Sequence, residues 1–322
     1  MARKAGVSNA TVSRVLNGMH AVSSPTRLRV LSAIKELNYY PDVHGRSLSA
    51  HASRTLGLVV SNLENPFFLD IFRVLQREAH SHGYDVLLAN TGYDSQHSGA
   101  QMMLGRHLAG LALVVSEIDQ ALLDEMRERQ IRTVVYDAAA PKGNILSLKA
   151  NYGIGIHRLV GYLRSLGHRK IAFLGHRTEP AHLSEREKTF VEVLNSSEVQ
   201  FTIVTESDGY AGGRRATQQL FSSGFKPSAI LCANDCMAIG ALRQLRELGL
   251  EVPRDVSVAG FDNISLSEVI HPSLTTLHIS RDRIGRWIFE GLIASETDLQ
   301  PLQGIVLQPE LVVRESTGLA LL

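Results

Sequence analysis

"GVSNATVSRVLNG", Gly6 to Gly18, is short, polar and bounded by a glycine at each end, and it lies close to the first residue of a 322-residue chain. Ser8 can act as an N-cap, so Asn9 to Asn17 can form a helix of about two turns. Val12, Val15 and Leu16 fall at helical spacing and predict one side packed on a small core. Asn9, Ala10, Ser13, Arg14 and Asn17 are left toward the other side. Gly6 belongs to the tight turn entering the helix, and Gly18 ends it. The following stretch, "SSPTRLRVLSAIKELNY", predicts a second helix with Ser24 as cap, Pro25 in the first turn and an apolar stripe of Val30, Ile34 and Leu37. A turn closing onto a short polar-faced helix, then a packed support helix, is the helix-turn-helix pattern, whose polar-faced helix lies in the major groove of DNA.

The side chains suit that placement. Arg14 can reach guanine bidentately, and Asn9 can address a base edge or a phosphate. Ser8, Thr11, Ser13 and Asn17 suit phosphate oxygens, which fix register without reading sequence. Charge agrees. Residues 1 to 54 hold eight Lys or Arg against Glu36 and Asp42, a net +6 that leaves −5 for the remaining 268 residues. A basic head on a mildly acidic body points to a polyanionic partner, with nucleic acid first.

The rest of the composition bounds the class. At this length two or three compact units are expected. The 44% hydrophobic and 20% charged content is that of a soluble globular chain. No apolar run approaches the roughly 20 residues of a membrane span. The first residues carry no signal-peptide core, so a cytoplasmic protein without membrane contact is expected. Cys232 and Cys236 are too few for a disulfide framework, and no second Cys or His pair completes a metal site. They read as packing thiols, with no metal or cofactor.

From Thr55 onward strands and helices alternate. "LGLVVS" precedes a helix around Phe68 to His82, "DVLLAN" one around Ser95 to His107, and "GLALVVS" one over Gln120 to Gln130; "RTVVYD" follows. The series restarts with a helix near Gly155 to Leu166, then "KIAFLG", a helix through Glu185 to Asn195, "FTIVTE", "AILCAN" and "VSVAGFD". Continuous apolar strands alternating with helices predict parallel sheets covered on both faces. The expected class is α/β: two flavodoxin- or Rossmann-like doubly wound lobes with a cleft, preceded by a small all-α head.

Ligands of open α/β sheets sit beyond the carboxyl ends of the strands, and the polar residues gather there. Asn65, Phe67 and Phe68 follow the first strand and Asp137 follows "RTVVY". The second series supplies Arg186, Tyr210, Asn234 and Asp262. Carboxylates accept hydroxyl protons, arginine donates a planar fork and asparagine does both. Aromatic faces pack on the C–H face of a sugar ring. The set predicts a site for a neutral, hydroxyl-rich ligand. Asp262 and Asn234-Asp235 could equally cap the helices that follow them, and one of the two phenylalanines is expected to be partly core.

"AGVSNATVSRVLNG", "VSSPTRLRVLSAIKELNYYPD", "GRSLS", "GLVVSNLENPFF", "LGHRKIAFLG", "ILCANDCMAIGALRQLRELGLEVPRDVSVAGFDN" and "HPSLTTL" together resemble the LacI/GalR family of bacterial transcription regulators over nearly the whole chain. The resemblance implies a DNA-binding head over residues 1–41 and a hinge helix over 42–53. It further implies an effector-binding and dimerisation core over 54–322, with one lobe at about 54–152 plus 281–309 and the other at about 153–280 plus 310–322. It places Leu48 where a leucine wedges into the minor groove. Asn65, Phe67 and Phe68 match sugar-touching residues of ribose-type periplasmic binding proteins, as do Asp137, Arg186, Asn234 and Asp262. It implies a homodimer on a palindromic operator, controlled by a sugar or nucleoside. Four departures follow from the pattern: a first helix of roughly one turn, Gly45 in the hinge, Ala138 in place of a basic donor, and Ile279 in place of glutamine.

Two rival classes fit the sequence less well. An enzyme would show a P-loop, a nucleophile elbow or a metal-binding His pair, and none is present. A periplasmic-type sugar-binding protein without DNA-binding activity would need a signal peptide and no basic head.

Overall fold

Ser8 ends a turn and starts a helix because its hydroxyl accepts Thr11 N–H at 3.2 Å while its carbonyl takes Val12 N–H at 3.1 Å. The head it opens contains α1 (Ala2–Ala5), α2 (Asn9–Leu16) and α3 (Ser24–Glu36). Ala5, Val12, Val15, Val30 and Ala33 form its core, with Ala2, Val7 and Val22 packed against them. Two predicted details differ. Ser24 is the first helical residue, and the turn before it is closed by Ser23, whose carbonyl accepts Arg27 N–H at 2.9 Å. Leu37 is 46% exposed, one turn beyond the buried Ala33 and two beyond Val30. The apolar stripe therefore stops where α3 stops.

The computed structural model describes residues 2–16, 22–37, 53–91, 103–104, 106–115, 118, 120–136, 145–176, 184–195, 198–294 and 305–321, in two compact units, Met1–Ser53 and Arg54–Leu322. Asn17, the hinge residues 42–52 with Gly45 and Leu48, and Asp137 with Ala138 lie outside the described residues. So do the side chains of Ser13, Leu16 and Ile34.

The second unit runs β1 (Thr55–Val60), α4 (Pro66–Ser81), β2 (Asp85–Asn90), β3 (Gly110–Val114), α5 (Gln120–Glu128), β4 (Thr133–Tyr136), β5 (Ile145–Ala150), α6 (Tyr152–Ser165), β6 (Lys170–His176), α7 (Glu185–Asn195), β7 (Gln200–Glu206), α8 (Gly209–Ser222), β8 (Ala229–Cys232), α9 (Asp235–Glu247), β9 (Ser257–Ala259), α10 (Leu266–Val269), β10 (Thr276–His278), α11 (Arg281–Ile293), β11 (Val306–Leu307) and β12 (Glu310–Val312). A six-stranded parallel sheet has the order β11-β5-β4-β3-β1-β2, and a four-stranded parallel sheet the order β7-β6-β8-β9. β10 and β12 pair antiparallel. The α/β class with two parallel-sheet lobes is therefore observed. Interior strands are buried along their length, as in β3 and β8, whereas edge strand β2 alternates toward solvent.

Parallel register aligns the carboxyl ends, so Val60 sits beside Asn90 and Val114 in one sheet, and Leu174 beside Val204 and Cys232 in the other. Asparagine or aspartate caps the helices that leave these ends. Asn65 accepts Phe67 N–H ahead of Pro66, Asp208 accepts Gly209 N–H, and Asn234 accepts Met237 N–H. Helices α8 and α9 approach so closely that a Cβ on Gly213 would stand 2.1 Å from the Met237 carbonyl oxygen. One on Gly240 would stand 2.1 Å from that of Tyr210. These two glycines fix the spacing between the α8 and α9 N-termini, which both belong to the site.

Candidate functional site

Asn65, Arg186 and Asp262 come from distant parts of the chain and meet in the body. Asn65 is held twice: its Oδ1 accepts Phe67 N–H at 3.0 Å, and its Nδ2 donates to Asp262 Oδ2 at 3.4 Å. Because Oδ1 is committed to the helix, Nδ2 is aimed across at the other sheet's residues. Asp262 follows β9 with φ +108°, in the left-handed region that an aspartate rarely occupies. Its N–H donates to Leu277 O at 2.9 Å, and its carbonyl accepts from Arg281 Nη1 at 2.6 Å. It caps no helix, since the residue before α10 is Ser265. Its carboxylate faces Asn65 and Arg186 in the site and serves no helix end.

Arg186, in the first turn of α7, places its guanidinium 4.4 Å from the Tyr152 ring centroid and 4.1 Å from that of Phe261. It stands 3.8 Å from Asp262 Oδ1 and donates to the Ala233 carbonyl. Its side chain is 16% exposed, that of Asp262 4%. Burial alone would lower the arginine's pKa, but Tyr152 and Asp262 outweigh it and hold the cation. Burial pushes the Asp262 carboxyl up to about 7, opposed by Arg186 and reinforced by Asp235. The neighbouring Asp235 has a structural task. It accepts from Ile264 N–H, Ser267 Oγ and Thr276 Oγ1, and burial raises it to about 6.

Asn234 caps α9 through Oδ1 and donates Nδ2 to Asp208 Oδ1 at 2.6 Å. Tyr210 is half-buried, and burial pushes the pKa of the nearby Cys236 thiol up to about 12. Cys232 and Cys236 are free and buried. Phe67 is only 5% exposed and packs on Tyr136 and edge-on to Phe68, so it is the core member of the pair, while Phe68 is half-buried. Ile279 is fully buried and contributes no polar group. Asn62, Asp208, Tyr136, Tyr152 and Phe261 were not anticipated. Asn62 and Asp208 carry the same strand-end signal as Asn65 and Asn234. Tyr152 and Phe261 sit within apolar runs that read as core.

In the head, Ser8, Asn9, Ala10 and Arg14 are exposed on or beside α2. Thr11 is half-buried, with its hydroxyl 2.9 Å from Ser8 Oγ.

Residues 1–42 match the family model described as bacterial regulatory proteins, lacI family, and residues 160–317 match that of the periplasmic binding protein-like domain. Over 98% of this chain and 97% of the relative, it is 32% identical to the HTH-type transcriptional repressor PurR of Vibrio vulnificus. The chain belongs to the lacI family of bacterial regulatory proteins. A second relative, the PurR repressor of Serratia proteamaculans, is 32% identical over 99% of this chain and 96% of its own. Among solved structures, this lacI-family chain is similar to the lac repressor dimer bound to operator and the anti-inducer ONPF, with TM-score 0.77, 27% identity and coverage of 98% and 97%. It is also similar to the regulator CelR in complex with cellobiose, with TM-score 0.71, 28% identity and 98% of both chains covered.

Proposed function

We propose that this regulator represses transcription as a cytoplasmic homodimer, reading a palindromic operator through α2 and Leu48, and that a neutral hydroxyl-rich effector, a sugar or nucleoside, controls it from the cleft. The observation that carries the effector reading is the Asn65–Asp262–Arg186 constellation. It joins a donor amide, an accepting carboxylate and a donor fork that the rings of Tyr152 and Phe261 hold in place. In this reading Phe67, Phe68, Asp137, Tyr210 and Asn234 complete the contacts. The paired heads match the two halves of a palindrome. Its relatives are named as transcriptional repressors. The match of residues 1–42 disfavours a sugar-binding protein without DNA contact.

A thermal-shift screen of ribose, cellobiose, lactose, adenosine and sorbitol tests the ligand class. A true effector at 100 times its dissociation constant adds about 2.7 kcal/mol to the stability of the body. No shift with any of them would contradict the reading.

The pH dependence follows from Asp262. A hydroxyl donating to its carboxylate favours the ionised form, so ligand binding releases a proton and tightens as pH rises through about 7. Calorimetry should find about tenfold weaker binding at pH 6 than at pH 8.5. Asp262→Asn should flatten the profile. A wild-type profile that is flat, or that falls with pH, would remove Asp262 from the contact.

A further inference from the structure

Two asparagines after β1 aim at two aspartates of the other lobe, and the two bridges differ. Asn62 Nδ2 donates to Asp208 Oδ2 at 2.8 Å, whereas Asn65 Nδ2 reaches Asp262 Oδ2 only at 3.4 Å. The shorter one is fixed at both ends. Asn62 Oδ1 accepts Glu64 N–H at 2.8 Å, which settles the orientation of its amide and turns Nδ2 outward. Asp208 is anchored as the cap of α8, with Oδ1 accepting Gly209 N–H at 2.7 Å and Asn234 Nδ2 at 2.6 Å. Asn234 is in turn oriented by Met237 N–H at 2.9 Å. Asp208 therefore gathers amide donors from both lobes on one carboxylate, and every donor is oriented by its own backbone turn. Such charge-assisted bonds are stronger than neutral ones.

We infer that Asp208 is the positioning residue of the cleft: it orients Asn234 and latches Asn62 across the lobes, which holds the site closed on one side. The stretched Asn65–Asp262 side is then the one at which the effector acts. A pre-closed cleft binds more tightly, because apparent affinity scales with the populated fraction of the competent state. The inference rests on the reading of Asn234 and Asp262 as effector contacts.

Hydrogen–deuterium exchange of the full, ligand-free chain tests the latch. Asp208→Asn keeps an oxygen for Gly209 N–H and for Asn234, but turns an NH2 toward the NH2 of Asn62. Exchange of residues 61–65, which lie in the other lobe, should quicken about tenfold. In the exchanged pair, Asn62→Asp with Asp208→Asn, donor and acceptor are swapped and Glu64 N–H still finds an oxygen, so protection should return. If Asp208→Asn does not fold, Asn62→Ala reads the same contact with residues 206–210 as reporter, again about tenfold faster. Unchanged exchange at the reporter, or failure of the swap to restore it, would overturn the latch. Because no ligand is present, a screen in which no sugar or nucleoside binds would sink the effector reading while leaving this result standing on its own.

Discussion

Arg186→Ala should abolish effector binding and also lower the melting temperature of the body. The first effect follows from removing the only arginine set against both Asp262 and the Tyr152 and Phe261 faces among the described residues. The second follows from what the side chain leaves behind. Asp262 stays 3% exposed without its counter-charge, and the Ala233 carbonyl loses its donor. Above about pH 8, where the paired Asp262 is ionised, breaking a buried pair by deleting one partner costs about 3–5 kcal/mol. For a body of this size that lowers the melting temperature by roughly 10 °C. The cost should be non-additive: Arg186→Ala with Asp262→Asn should melt above Arg186→Ala alone, since the stranded charge is gone. A single variant that melts like wild type would show that the arginine serves the ligand alone. One that still binds ligand would remove it from the site.

Arg14→Ala should erase the preference for operator over random DNA. The residue is exposed on α2, on the side away from Val12 and Val15. A bidentate arginine–guanine contact is worth about 1–3 kcal/mol of discrimination, or roughly 5- to 150-fold. Thr11→Ala should instead weaken matched and random DNA alike, because a hydroxyl on a phosphate carries no sequence information. Fluorescence anisotropy on a DNA selected from a random pool, against an unrelated duplex, separates the two. Equal losses on both duplexes for Arg14→Ala would refute its base-reading role.

The long elements were legible because their patterns are strong. Strands such as β1, β3 and β6 are continuous apolar runs, and α7 spans Glu185–Asn195 as expected. Other helix ends shifted by one to three residues, because caps and not apolar spacing decide them. Asn65 starts α4 earlier than the hydrophobic period suggests, whereas Asn234 caps α9 as expected. Strands β10, β11 and β12 were not anticipated. At two or three residues each they are too short to show a period, and tertiary pairing defines them. β5 was missed because it follows the predicted end of the first series and alternates only weakly.

The site was legible in its ends and illegible in its walls. Asn65, Asn234 and Asp262 stand out as polar residues terminating apolar strands. Arg186 was seen, but nothing local shows that Tyr152 and Phe261 sandwich it, because those rings come from positions 34 residues before and 75 after it. Asp208 was passed over beside Tyr210, although its cap position carried the same signal. Ser24 and Leu37 show the converse error, in which a sequence rule is right about the helix and wrong by one residue or one turn.

Control by an effector requires coupling between the body and the DNA-binding head. Operator affinity of the full-length protein, measured by anisotropy with and without a saturating ligand identified by thermal shift, tests it most directly. A shift of roughly 5- to 150-fold in either direction, which reports a coupling of about 1–3 kcal/mol, is the predicted result. Identical operator affinity in the two conditions, with the ligand demonstrably bound, would contradict it.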